Sequence, residues 1–264
     1  MIREHLDALV CDLDGVVYRG DEPIAGSVEA LASLRRAGIR IVYSTNNSRS
    51  TIAQYMTKLG GLGLEVEPGD IVTSAVVTAE ELQRRGYAGK TAIVVGGDGI
   101  RTALGEVCIS VKDEPSVTRS DLVVVGWDPS FTYAAMARAA TAVREGAIFV
   151  ATNTDVSFPS PDGLLPGAGA LVASIETASG RTAEAMGKPH KPMLDTVARR
   201  VEGCDSVTVI GDRPDTDLAG VRERGWTGIL VLSGVTAAAQ AEKLSPSPDR
   251  VLPDLASFVA ELGV

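Results

Sequence analysis

The stretch "ALVCDLDGVVYRG", residues 8–20, sets two carboxylates, Asp12 and Asp14, one residue apart at the end of an apolar run and directly before a glycine. Side chains alternate along an extended chain, so the two acids point opposite ways unless the strand ends between them. Gly15 allows that break, because glycine tolerates backbone conformations closed to other residues. Taken alone, the same stretch also reads as a polar strand end with two solvated acids.

Outward from it, short β-branched runs alternate with stretches of helical period: "LDALVC", "GSVEALASLRRAG", "IRIVYS", then "RSTIAQYMTKLG". This is the βαβ rhythm of a parallel sheet with helices on its faces. Further apolar runs lie at 92–95, 122–125, 147–151, 207–210 and 229–232. In such folds ligands gather at the carboxyl ends of strands. Those ends are polar or small here: "CDLDG" at 11–15, "STNNS" at 44–48, "GGDG" at 96–99, "GWD" at 126–128, "ATNTD" at 151–155 and "GDRPDTD" at 211–217. Between 76 and 185 the chain holds three strand candidates and helices of its own, enough for a small α/β domain inserted in a larger one. Residues 243–254, "KLSPSPDRVLPD", read as a surface connection before a last amphipathic helix.

The composition is that of a soluble globular chain: 264 residues, 45% hydrophobic and 22% charged. No apolar run approaches the roughly 20 residues of a membrane span, and the first residues are charged where a signal peptide is apolar, so a cytoplasmic protein without membrane contact is expected. A net charge of −9 argues against nucleic-acid binding, which needs a basic face. Cys11, Cys108 and Cys204 are far apart and odd in number, which indicates neither a disulfide framework nor a metal motif. His5 and His190 are the two histidines and have no ligand-like spacing.

Four stretches carry candidate chemistry. Asp12 and Asp14 are joined by Asp212, which follows the apolar run "SVTVI", and by Asp217, expected in the first turn of a helix "DTDLAGVRERG". An acid in a first helical turn is commonly just a cap, and Asp217 alone reads that way. Several acids at neighbouring strand ends repel one another unless a cation sits among them, and oxygen ligands with positions open to water suit Mg²⁺. Thr45, Asn46 and Asn47 follow a strand and precede a helix, where hydroxyl, amide and backbone N–H groups form either an anion site or an ordinary cap and turn. Lys188 lies between Gly187 and Pro189, a setting that suits an ordered phosphate contact better than a mobile surface lysine.

In this order, "DLDG", "STNN", "GKP" and "GDRPDTD" resemble the four signature motifs of the haloacid dehalogenase superfamily of phosphatases. The chain resembles in particular the branch of 4-nitrophenylphosphatase, phosphoglycolate and glycerol-phosphate phosphatases, which carry a large α/β cap between the second and third motifs. "VGWDPSFTY", "ATNTDVSFP", "LLPGAGALVASIETASGR" and "GKPHKPM" extend the likeness over nearly the whole chain. The resemblance implies a Rossmann-like core over 1–75 and 186–264, with the cap over 76–185. It implies that Asp12 is the nucleophile, forming an aspartyl phosphate, and that Asp14 is acid and then base. It further implies Mg²⁺ held by the Asp12 carboxylate, the Asp14 carbonyl and Asp212, with Asp217 behind them, and phosphate held by Thr45, Asn46, Asn47 and Lys188. "TNTDVSFPSPDG" would bring Asn153, Asp155 and Phe158 toward the leaving group, although Phe158 reads equally as a buried cap residue. The substrate implied is a small-molecule phosphate ester, and caps of this branch often pair in homodimers.

Three other readings compete. A receiver module also collects acids, a hydroxyl and a lysine at strand ends, but it is about half this length and has no use for Asp14 or an insertion. A nucleotide site would lean on "VGGDG" at 95–99, which lacks the third glycine of the dinucleotide fingerprint. A non-catalytic phosphometabolite-binding protein with the same fold would keep every one of these groups.

Overall fold

The computed structural model describes residues 6–112, 114, 116–160 and 163–264, with the main chain alone at 158–160 and 164. The chain forms two compact units, one of Met1–Thr45, Tyr55–Val72 and Leu194–Val264, the other of Asn46–Gln54 and Thr73–Met193.

The first unit is built on a six-stranded sheet whose order is Arg250–Leu252, Thr227–Val231, Val207–Gly211, Ala8–Asp12, Arg40–Thr45, Ile71–Thr73. From the first of these to the fifth the pairing is parallel. Ala8–Asp12 is buried along its whole length, which is why it reads as an apolar run with no alternation. Its register sets Cys11 beside Ile210 on one side and Asp12 beside Ser44 on the other. Asp12, Asp212 and Thr45 are thereby delivered to one edge of the sheet by three adjacent strands.

Helices cover the faces with stripes of helical spacing. Ser27–Arg36 buries Ala30, Leu31 and Leu34, and Leu255–Leu262 buries Leu255, Phe258 and Val259. The last helix starts where the Asp254 carboxylate accepts a bond from the Ser257 N–H at 2.7 Å. Two expectations fail in this unit. No α-helix forms over 215–225: turns run to a short 3₁₀ segment at Arg222–Arg224, because Gly220 and Gly225 adopt positive φ values of 78° and 74° that interrupt a right-handed helix. The stretch 243–254 is no mere connection, since Arg250–Leu252 adds the edge strand of the sheet.

The second unit holds a five-stranded sheet, parallel throughout, in the order Glu184–Ala185, Ile148–Ala151, Leu122–Val125, Thr91–Val95, Ser110–Val111. The three long strands match the three apolar runs; the two-residue edge strands are too short to leave a pattern. Tyr133–Arg144 and Ala168–Ser179 pack on this sheet through Ala139, Val143, Val172 and Ile175. Ser157–Ser160 and Gly163–Pro166 pair as an antiparallel hairpin.

The glycines of "VGGDG" serve packing. A methyl group on Gly97 would come within 2.7 Å of the Arg49 carbonyl oxygen, and one on Gly99 within 2.5 Å of the Ser48 carbonyl oxygen. The Gly99 N–H donates to the Arg49 carbonyl at 2.8 Å. These glycines exist so that residues 48–50 can lie against the loop, which removes the main support for a nucleotide site. Among the described residues no helix is long and apolar enough to cross a membrane.

Candidate active site

Three of the sequence-derived acids meet. Asp12, Asp212 and Asp217 each bring one carboxylate oxygen to within 4.8 Å of the others, and they are 8%, 2% and 5% exposed. Glycines make this possible. Methyl groups built on Gly15 and Gly234 would both collide with the Asp212 carboxylate, and one on Gly211 would collide with Asp217. Hydrogen bonds fix the acids further. Asp212 Oδ2 accepts from the Val235 N–H at 2.6 Å, its carbonyl from the Thr236 hydroxyl at 2.5 Å, and Asp217 Oδ2 from the Arg213 N–H at 2.9 Å. Asp217 is thus placed by a tight turn, its own N–H bonding the Arg213 carbonyl at 2.8 Å, and not by a helix start.

Three buried carboxylates at this spacing repel one another and lose hydration together. A divalent cation relieves both costs, and a donor set made only of oxygen suits a hard one. The donor set therefore fits a metal ion.

Asp14 stands outside this triad. It is half-buried, and it forms an isolated bridge to Tyr18 in a closed turn where the Gly15 N–H donates to the Tyr18 carbonyl at 2.8 Å. Gly15 takes φ +87°, the break that the opening stretch required. The side chain of Tyr18 is a site feature the sequence reading missed. Its ring lies 3.7 Å beneath the Lys58 ammonium, whose Nζ donates to the Gly20 carbonyl at 2.5 Å. Burial, and after it the charge of Asp14, holds the Tyr18 hydroxyl far above the usual phenol range, so it stays protonated. The loop 233–236 was missed as well, although "LSGVT" repeats the pattern of a polar strand end.

Thr45 is buried at the end of Arg40–Thr45. Asn47 closes a local turn, its Oδ1 accepting from the Arg49 N–H at 2.9 Å. In the second unit Asn46 and Lys188 meet directly. Asn46 Oδ1 accepts from the Lys188 N–H at 2.7 Å, and Asn46 Nδ2 donates to the Lys188 carbonyl at 3.1 Å and to the Asp155 carboxylate at 3.1 and 3.2 Å. Asn153 is buried and its amide nitrogen donates to the Asn46 carbonyl at 2.7 Å. A methyl group on Gly187 would come within 2.5 Å of Asn46 Oδ1, which accounts for the glycine of "GKP". The glycines of "PGAG" do the same for Thr154 and Asp155: the Gly169 N–H donates to the Asp155 carbonyl at 2.9 Å. Phe158 lies on the hairpin opposite Leu165, and its side chain is outside the described residues.

The chain matches known proteins along nearly its whole length. Residues 9–110 fit the model of the haloacid dehalogenase-like hydrolases and residues 185–258 a second HAD-hydrolase-like model. It is 35% identical to the acid sugar phosphatase of Staphylococcus aureus over 257 residues, 97% of each chain. It resembles the crystal structure of a glycerol phosphate phosphatase from Mycobacterium tuberculosis in complex with magnesium, with a TM-score of 0.87 and 33% identity over 97% of this chain and 77% of that one. The 4-nitrophenylphosphatase of Thermotoga maritima superposes with a TM-score of 0.89 at 28% identity over 98% of both chains. With an acidic triad at the ends of a parallel sheet and this likeness from end to end, the chain belongs to the haloacid dehalogenase-like hydrolases and is a phosphatase of that family.

Proposed function

We propose that the protein hydrolyses small phosphate monoesters, sugar phosphates or glycerol phosphate foremost, with Mg²⁺ as its metal and Asp12 as its nucleophile. The observation that carries the reading is the buried triad of Asp12, Asp212 and Asp217. The substrate classes come from the acid sugar phosphatase and glycerol phosphate phosphatase relatives, and the metal from the magnesium complex of the latter.

In this reading an Asp12 carboxylate oxygen attacks phosphorus, the bond to the leaving oxygen breaks, and Asp14 gives that oxygen its proton. Water then attacks the aspartyl phosphate while Asp14 takes a proton from it, and Asp12 and inorganic phosphate are regenerated. The Asp12 and Asp212 carboxylates and the Asp14 carbonyl would hold the metal, with Asp217 behind them. When bound, Mg²⁺ supplies positive charge that offsets the repulsion between an anionic nucleophile and an anionic phosphate. Thr45 at the end of its strand, with the Asn46 main chain and Asn47 just after it, binds phosphate oxygens, and Lys188 adds a positive charge. Residues 76–185 act as the cap that selects the leaving group, Phe158 among them. A homodimer and a cytoplasmic location complete the reading.

The test is phosphate release from a panel of sugar phosphates, glycerol 3-phosphate, phosphoglycolate and 4-nitrophenyl phosphate, each with Mg²⁺ and with EDTA. Release that needs the metal and favours one substrate class is expected. Turnover that persists in EDTA would remove the metal from the account, and a protein that binds these esters without releasing phosphate would be the non-catalytic alternative. Size-exclusion chromatography with light scattering decides the dimer.

A further inference from the structure

We propose that Asn46 is a positioning residue that clamps the main chain of Lys188, and that Asp155 fixes the sense of the clamp. This rests on the reading that Lys188 binds substrate phosphate. One side-chain amide meets both hydrogen-bonding groups of a single residue, taking the Lys188 N–H at 2.7 Å and giving to the Lys188 carbonyl at 3.1 Å. A flipped amide would face oxygen to oxygen and nitrogen to nitrogen, losing both bonds. Asp155 prevents the flip, because a carboxylate only accepts and its two oxygens lie 3.1 and 3.2 Å from Asn46 Nδ2.

The clamp is itself anchored. The Asn46 carbonyl accepts from the Ser74 hydroxyl at 2.6 Å and from Asn153 Nδ2 at 2.7 Å, and Asn46 is buried. Gly187 lets the amide approach. The root of the lysine is therefore held from both sides in a buried setting, so the main chain that carries the side chain is already ordered when an anion binds. Asn46 acts here through Lys188, with its side chain turned to the protein and not to the substrate.

The experiment is steady-state kinetics with 4-nitrophenyl phosphate, together with the inhibition constant of inorganic phosphate, in the full-length protein. Lys188→Ala is measured first: unchanged KM and phosphate inhibition would overturn both the phosphate-binding reading and the clamp built on it. Given a loss there, Asn46→Ala is expected to raise KM and the phosphate inhibition constant about tenfold, the scale of lost buried hydrogen bonds. In the Lys188→Ala background the same change should have less than about a twofold effect, because the residue it positions is gone. Asn46→Asp should be worse than alanine, setting a carboxylate against both the Asp155 carboxylate and the Lys188 carbonyl, and adding Asp155→Asn should recover only part of the loss, because it restores a donor to the pair but not the bond to the Lys188 carbonyl. Equal effects of Asn46→Ala in both backgrounds, or no gain from the exchanged pair over Asn46→Asp, would overturn the clamp while leaving the phosphatase reading intact.

Discussion

Gly15 packs its α-carbon against the carboxylate of Asp212, so closely that an added methyl group would come within 2.5 Å of Oδ2. The residue that turns the chain just after the strand bearing Asp12 therefore also makes room for the acid from the next strand. Gly234 does the same from the loop after Thr227–Val231. Gly234→Ala should displace Asp212, raise the Mg²⁺ concentration needed for half-maximal activity by more than about tenfold, and cost about 1–3 kcal/mol of stability through overpacking. A magnesium titration of phosphate release with a melting curve measures both. Wild-type metal dependence in the variant would mean that Asp212 holds no metal.

Lys188→Ala should slow 4-nitrophenyl phosphate hydrolysis by at least about tenfold, the scale of one charge-assisted contact to phosphate. Kinetics at wild-type values would reduce Lys188 to a structural residue of the loop before Lys191–Arg200.

Gly187→Ala tests the geometry of that loop independently of charge. The added methyl group would press on Asn46 Oδ1 and on the Thr152 carbonyl, 2.5 and 2.6 Å away. A KM raised at least about fivefold, the factor that corresponds to the lower end of the ~1–3 kcal/mol that overpacking costs, is expected while Lys188 remains in place. Unaltered kinetics would show that the loop yields freely and that its close fit is unimportant.

Asp121 supplies a pH signature within the second unit. The Thr91 N–H at 2.8 Å, and with it the Thr91 hydroxyl at 2.7 Å, holds its carboxyl below the usual aspartate range. A depressed folded-state pKa stabilises the fold above the unfolded value, about 3.9 for aspartate, and that contribution is lost as pH falls through the folded value. Melting curves of wild type and Asp121→Asn should therefore differ at neutral pH and converge on acidification. A constant difference across the series would mean that the Thr91 bonds do not favour the ionised form.

The strands were legible because buried parallel strands are written as uninterrupted apolar runs, and "ALVCD" and "VTVIG" each end in or before the acid they deliver. The triad was legible for the same reason, since parallel strands collect their carboxyl ends on one edge. Asp217 was expected at a helix start and lies in a tight turn: both favour Asp and Thr, and Gly220 decided between them through its φ of +78°. The bond between Val235 and Asp212 depends on which strands are neighbours, which no local pattern records. The Asn46 clamp on Lys188 joins residues 142 apart, and its donors read locally as a cap and a turn. "VGGDG" raised a nucleotide reading, already short of its third glycine, because glycines that admit a phosphate and glycines that admit another stretch of backbone look alike in sequence.

The most direct test of the account is phosphate release from 4-nitrophenyl phosphate at saturating Mg²⁺ by wild type and Asp12→Asn, with melting curves to establish that both are folded. An amide can neither attack phosphorus nor supply the negative charge that the triad gives a cation, so the account predicts a loss of more than about a thousandfold in a folded protein. Asp12→Asn turning over near the wild-type rate would contradict it.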